Sequence, residues 1–252
     1  MSNSLCATLA AFAAYMVGSL PFGYLIARFR AGIDIRDHGS GNIGATNVAR
    51  VMGIRWGIGV MVLDGLKGLL PTLLLPQLFF ASSNVWLPHV TVLCGVATVI
   101  GHMFPVYLRF RGGKGVATSL GVITVLSPWA TLVAFASYLV AFVTFRIGSV
   151  ASLSGALAFV IAHFVRTPNP FSMSEWSLTT FSMLVPLMIV IRHRSNIGRI
   201  LRGEEPRFQF GRSRSEEPTT NRFRSAVKDQ RRQETGKDNP TSREQDQDRD
   251  TV

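Results

Sequence analysis

The chain has 252 residues, 47% of them apolar, and a formal net charge of +11. Its charges are unevenly placed: Met1 to Ile191 holds 11 Lys or Arg and 4 Asp or Glu, while the last 61 residues hold 15 and 11. Such a profile excludes an ordinary soluble domain, and basic residues set between apolar runs, with no basic face, argue against nucleic acid as a partner.

Leu5 to Ala27 is a first apolar run, long enough to cross a hydrocarbon core of ~30 Å. No basic leader with a small-residue cleavage site precedes it, so it is expected to remain as a span. A polar, glycine-rich stretch follows, ending in GSGNIGATNVAR from Gly39 to Arg50. Ser40, Asn42, Thr46 and Asn47 supply neutral hydrogen-bonding groups there, and Arg50 supplies a fork for phosphate or carboxylate. Trp56 to Phe80 resumes the apolar pattern, with Asp64 and Lys67 three apart on one helical face, an expected ion pair. Trp86 to Val106 is a third span, and Cys6 and Cys94 read as thiols packed within apolar runs, without a disulfide framework or metal site.

Gly101 to Thr118, GHMFPVYLRFRGGKGVAT, turns at Pro105 into a Gly-Gly-Lys-Gly loop. Flexible glycine backbone, the Lys114 cation and a helix starting near Val116 together read as a phosphate cradle in which several N–H groups converge on one anion. It is not a nucleotide P-loop, because Leu108 stands where that motif needs glycine and Gly115 follows the lysine. A glycine-rich turn that anchors a helix at the headgroups is the plainer alternative.

Val116 to Phe145 is too long for one upright helix and short for two, and Ser127-Pro128 places a break in it. Gly148 to Val165 and Trp176 to Ile191 are two further spans. The basic loops fall on one side with the basic C-terminal end only if there are seven transmembrane helices. The expected fold is therefore an all-α, polytopic membrane protein with the N-terminus out and the C-terminus in. Residues 1–206 form the membrane domain, and 207–252, which has no apolar periodicity, is expected to be a disordered charged tail. RHRSNIGRILRGEEPRF, from Arg192 to Phe208, reads as a short interfacial helix capped by Gly203, with His193 and Asn196 on one face.

In their order and spacing these three clusters resemble the signature motifs of the bacterial acyl-phosphate:glycerol-3-phosphate acyltransferase (PlsY) family, from about Leu5 to Phe208 and including LDGLKG at Leu63 to Gly68. The resemblance implies a multi-pass enzyme of the bacterial inner membrane with its active site facing the cytoplasm. It would transfer a fatty acyl group from acyl phosphate to the sn-1 hydroxyl of glycerol 3-phosphate, giving lysophosphatidic acid and phosphate. It also implies no cofactor and no metal, the bilayer as partner, and a functional link to an enzyme that makes acyl phosphate.

Carried over by motif, Ser40, Arg50, Lys114, His193 and Asn196 are the catalytic set. Gly41, Asn42, Gly112, Gly113, Gly115, Ser149 and Ser152 bind substrate, and Glu205 is structural. Either His193 is the general base, or a substrate phosphate oxygen takes the hydroxyl proton; the motifs offer no carboxylate base, and the family favours the second. A transporter for organic phosphates and a membrane scaffold are the competing readings from other classes.

Overall fold

The computed structural model describes residues 2–81 and 84–208, and these are all-helical, without a strand. The expected disordered tail lies outside the described residues from position 209 onward.

Helix α1 (Asn3–Gly18) starts at Ser2, whose hydroxyl accepts from the Leu5 N–H. One uninterrupted run was expected over Leu5 to Ala27, but the helix breaks at Ser19–Pro21 before α2 (Phe22–Ala31). Pro21 has no N–H to extend the ladder and pushes Leu20 out of the helical region. The two pieces still count as one candidate span of 29 residues. α2 stops at Gly32, where φ is 70°.

A polar loop leads to α3 (Ala45–Met52), followed by α4 (Ile54–Phe79) and α5 (Leu87–Met103). The break expected at Ser127-Pro128 is present, between α6 (Val116–Leu126) and α7 (Pro128–Phe145). Then come α8 (Gly148–Arg166), α9 (Trp176–Arg192) and α10 (Arg194–Leu201). The α9–α10 pair is bent by 59°, and Gly203 closes the last turn with φ 72°.

Among the described residues, five helical stretches are long and apolar enough to cross a membrane, or six if the bent α9–α10 pair is one span. α6 is the short exception: 11 residues at 1.5 Å each give about 16 Å, roughly half a hydrocarbon core. It is held against α4 by direct backbone approach. A Cβ at Gly121 would sit 2.0 Å from the Gly65 carbonyl oxygen, and one at Gly68 would sit 2.1 Å from that of Thr118.

Side chains are sorted in the reverse of a soluble protein. Leu132, Val140, Val143, Leu157 and Ile161 face outward, while Thr72, Thr98, Thr118, Ser119, Thr179 and Ser182 are buried. Buried hydroxyls return to their own helix, as Thr72 does to the Gly68 carbonyl at 2.7 Å and Thr98 to that of Cys94 at 2.8 Å. This is the arrangement of an integral membrane protein, in which lipid takes the apolar faces.

The Asp64–Lys67 pair is formed at 2.9 Å, with both side chains 3% exposed. Lys67 also donates to the Leu20 carbonyl at 2.6 Å, which the break at Pro21 leaves with a backbone bond from the Phe22 N–H at 3.2 Å, and its ammonium stands over the Phe22 ring. One lysine therefore ties α4 to the kink between α1 and α2.

Candidate active site

The three polar clusters meet at one end of the helices. The first is folded around a single amide. Asn47, 2% exposed on α3, donates through Nδ2 to the carbonyls of Ile35, His38 and Asn42, and its Oδ1 accepts the Ser40 N–H at 2.7 Å. Asn42 Oδ1 accepts the Gly44 N–H at 2.8 Å, a side-chain turn that launches α3. Ser40 and Arg50 are left exposed, with their side chains available to a ligand.

The glycine-rich loop runs back onto the end of α5. The Gly112 and Gly113 N–H groups donate to the Met103 and His102 carbonyls at 3.2 and 3.1 Å. This corrects the expectation that those two amides point at an anion: the last carbonyls of α5 need donors, and the loop supplies them. A Cβ at Gly113 would lie 2.1 Å from His102 Nε2, so only glycine fits between loop and ring. Gly115 takes φ +82° and opens α6 at Val116, as expected, so the donor end of that helix faces the lysine side of the loop.

The third cluster fastens the second. Arg192, the last residue of α9, donates from Nη2 to the Gly112 carbonyl at 2.7 Å and from Nε to that of Gly113 at 3.1 Å. Beyond it, His193 is 2% exposed, with Nδ1 2.8 Å from the Ile189 carbonyl oxygen. Donation from Nδ1 fixes the tautomer and leaves Nε2 as an acceptor.

Lys114 Nζ donates to Asn196 Oδ1, and Asn196 Nδ2 donates to Glu205 Oε1 at 2.5 Å. Glu205 also accepts from Ser149 Oγ at 2.8 Å and, through Oε2, from Arg199 Nε at 2.7 Å. A chain of bonds thus runs from α8 through the C-terminal segment and α10 to the loop lysine. The N-terminus of α8 also meets the first cluster, because a Cβ at Gly148 would be 3.5 Å from Thr46 Cγ2.

The electrostatics follow from that geometry. Burial, with Arg199, Arg192 and Arg50 nearby and only Glu205 opposing, lowers the Lys114 ammonium to about 8. Burial and the Lys114 charge lower His193, just beyond the last residue of α9, to about 4. For Glu205 burial acts upward, but the bonds from Asn196, Ser149 and Arg199 outweigh it and hold the carboxyl below its ordinary value. The site is cationic overall, and the Glu205 carboxylate within it is held ionised.

A cavity of about 460 Å³ opens here, lined by Arg36 and Asp37 just ahead of the first cluster, Gly41 within it, Arg111 and Gly112 from the second, and Arg192 from the third. The fold thus gathers Lys114, His193, Asn196, Glu205 and Ser149 tightly, and holds Ser40, Gly41 and Asn42 on a neighbouring loop with Arg50 in the last turn of α3 behind it. Ser152 Oγ donates within its own helix to the Gly148 carbonyl at 2.8 Å. Asn47, Arg192 and Arg199 were not singled out from sequence as site residues. Asn47 was visible as an amide among small residues, and Arg192 as the first cation after an apolar run, but their partners are distant in the chain. Among the described residues, no group of three His, Cys, Asp or Glu could hold a metal ion.

A model of the family described as glycerol-3-phosphate acyltransferase matches residues 8–203. The chain belongs to that family. A relative from Anaeromyxobacter sp. (strain Fw109-5), named glycerol-3-phosphate acyltransferase, is 44% identical over 211 residues, covering 83% of this chain and 100% of the relative. Relatives of the same name from Myxococcus xanthus and Aquifex aeolicus are 42% and 40% identical, each match covering 77% of this chain and 95% of the relative. The crystal structure of PlsY, an integral membrane glycerol 3-phosphate acyltransferase, in its glycerol 3-phosphate form superimposes with a TM-score of 0.71 at 38% identity, covering 81% of this chain and 96% of that one. The lysophosphatidic acid form of that enzyme gives 0.69. The protein is a PlsY-type glycerol-3-phosphate acyltransferase and a multi-pass membrane protein, as the sequence motifs had indicated.

Proposed function

We propose that the acyl donor is acyl phosphate, that the acceptor is the sn-1 hydroxyl of glycerol 3-phosphate, and that the products are lysophosphatidic acid and inorganic phosphate. The observation that carries this reading is the Glu205–Asn196–Lys114 chain beside two glycine-rich loops. It makes a cationic pocket for phosphate with no base-activated nucleophile among the described residues, which suits a donor that is already activated.

Lys114 and Arg50 take the phosphate charge, with Ser40, Gly41 and Asn42 lining the approach. Gly112, Gly113 and Gly115 shape the loop, and the free end of α6 faces the anion. Asn196 orients Lys114, and Ser149 steadies Glu205, whose role is structural; Ser152 supports the same turn. The hydroxyl oxygen attacks the acyl carbonyl carbon, the bond from that carbon to the phosphate oxygen breaks, and inorganic phosphate leaves. His193, at about 4, is a weak base at neutral pH, so the hydroxyl directs its one hydrogen to a substrate phosphate oxygen, which takes the proton as the new bond forms, and the buried imidazole positions the reacting groups.

The proposal extends to topology. α6 and α9 added to the five long stretches give seven spans, with the basic loops and the C-terminal end on the cytoplasmic face of the inner membrane. Residues 1–206 are the catalytic unit, and the chain works beside an enzyme that supplies acyl phosphate.

The test is acyl transfer by the purified full chain, with labelled glycerol 3-phosphate and either acyl phosphate or an acyl thioester. Lysophosphatidic acid and phosphate from acyl phosphate alone, sharply reduced in Lys114→Ala, are expected. Product from the thioester but none from acyl phosphate, in folded protein, would overturn the donor.

A further inference from the structure

A second cavity of about 430 Å³ adjoins the first and is lined by Tyr24, Arg36, Tyr107, Leu108, Arg109 and Arg111. We propose that it holds the phosphate headgroup of an anionic membrane lipid.

Its charge is unbalanced. Arg36 is matched by Asp34 at 2.5 Å and lies over the Tyr24 ring. The Arg109 and Arg111 guanidiniums have neither a hydrogen bond nor an ion pair among the described residues, and no carboxylate lines the cavity. Both side chains are exposed beside the same recess, and a phosphate placed there can accept from each fork.

The backbone is also unusual there. Arg109 and Phe110 take φ of 51° and 62°, a left-handed conformation that L side chains rarely adopt. The N–H groups of Arg109, Phe110 and Arg111 bond back to Val106, Pro105 and Leu108 and hold the turn in place. Non-glycine residues kept in that region cluster at ligand clamps.

An amphiphile suits the recess better than a free ion because its rim is apolar. Val106, Tyr107 and Phe110 are exposed beside it, beyond the end of α5. Aromatic and basic residues mixed at the end of a membrane helix mark headgroup depth. The lipid chain would lie against the outward apolar faces. Arg111 borders both cavities and precedes Gly112, so an occupant here bears directly on the loop that Arg192 grips.

The experiment uses the full chain in nanodiscs of phosphatidylcholine with or without phosphatidylglycerol, and counts lipids retained on delipidation by native mass spectrometry. No turnover is needed, so the result stands apart from the identity of the acyl donor. Wild type is expected to retain phosphatidylglycerol over phosphatidylcholine. Arg109→Gly removes one guanidinium and suits the left-handed turn, so it should keep its thermal transition while binding phosphatidylglycerol about fivefold more weakly, the factor one basic residue contributes at an anionic surface. Arg109→Lys should retain most of the binding. Equal retention of both lipids, wild-type retention in Arg109→Gly, or displacement of the lipid by inorganic phosphate or glycerol 3-phosphate would each overturn the assignment.

Discussion

Replacing Glu205 by alanine removes the acceptor for three donors at once: Ser149 Oγ, Asn196 Nδ2 and Arg199 Nε. The Glu205 side chain is 7% exposed, whereas Arg199 is 33% exposed, so the ion pair is partly screened and the weight falls on the other two bonds. Hydrogen bonds to a charged group contribute about 1.5–3 kcal/mol each and do not add fully, which puts the loss near ~3 kcal/mol. At about 2–4 °C per kcal/mol for a domain of this size, the melting temperature should fall by about 6–12 °C. Scanning fluorimetry in one detergent, with turnover measured well below either transition, is the assay. Turnover should also fall at least about tenfold, the effect of a ~1.4 kcal/mol loss, because Asn196 no longer holds Lys114. The folded carboxyl titrates below its unfolded value, so its stabilisation is full above the unfolded range and is lost as pH falls through the folded one. Acidification should therefore close the gap between wild type and variant. A variant that melts within about 2 °C of wild type at neutral pH would refute the claim that this carboxylate ties α8 and α10 to the loop.

Lys114 titrates near 8, and phosphate needs its charged form, so the KM for glycerol 3-phosphate should climb as pH passes above about 8. The unliganded fold shifts the opposite way, gaining stability over the same rise because a buried ammonium is relieved; Lys114→Arg should lose the alkaline limb of the KM profile. Gly113→Ala drives a Cβ to 2.1 Å from His102 Nε2, and a large rise in that KM is expected, with partial recovery in the Gly113→Ala/His102→Ala double variant. Asp64→Asn leaves Lys67 buried and uncompensated and should cost about 3–5 kcal/mol, read as a fall in thermal transition, while Asp64→Leu with Lys67→Leu should recover most of it.

Much of this architecture was legible because membrane helices announce themselves by apolar length. Proline also stops a ladder predictably, as at Ser127-Pro128. The Asp64–Lys67 pair could be read from a three-residue spacing. The break at Ser19–Pro21 went unread because the apolar run continues through it, and hydropathy is blind to a missing N–H. In the site, the motif residues were evident as types, but their pairings were not. Asn47 serves carbonyls five to twelve residues away, and Arg192 reaches carbonyls about eighty positions back, distances that no local pattern encodes. The same blindness explains the glycine amides: the loop's composition suggested donors for an anion, and only the fold shows that two of them answer the end of α5.

The grip of Arg192 on two successive carbonyls has a mechanical side. A planar fork bound at two points cannot swivel, so the end of α9 and the glycine loop behave as one solid jaw. The opposing surface is different in kind: Ser40 stands exposed on a loop pinned by one amide, and Arg50 stands exposed on the last turn of α3. With both carbonyls held, the shape of the glycine loop is set by the fold before any ligand arrives.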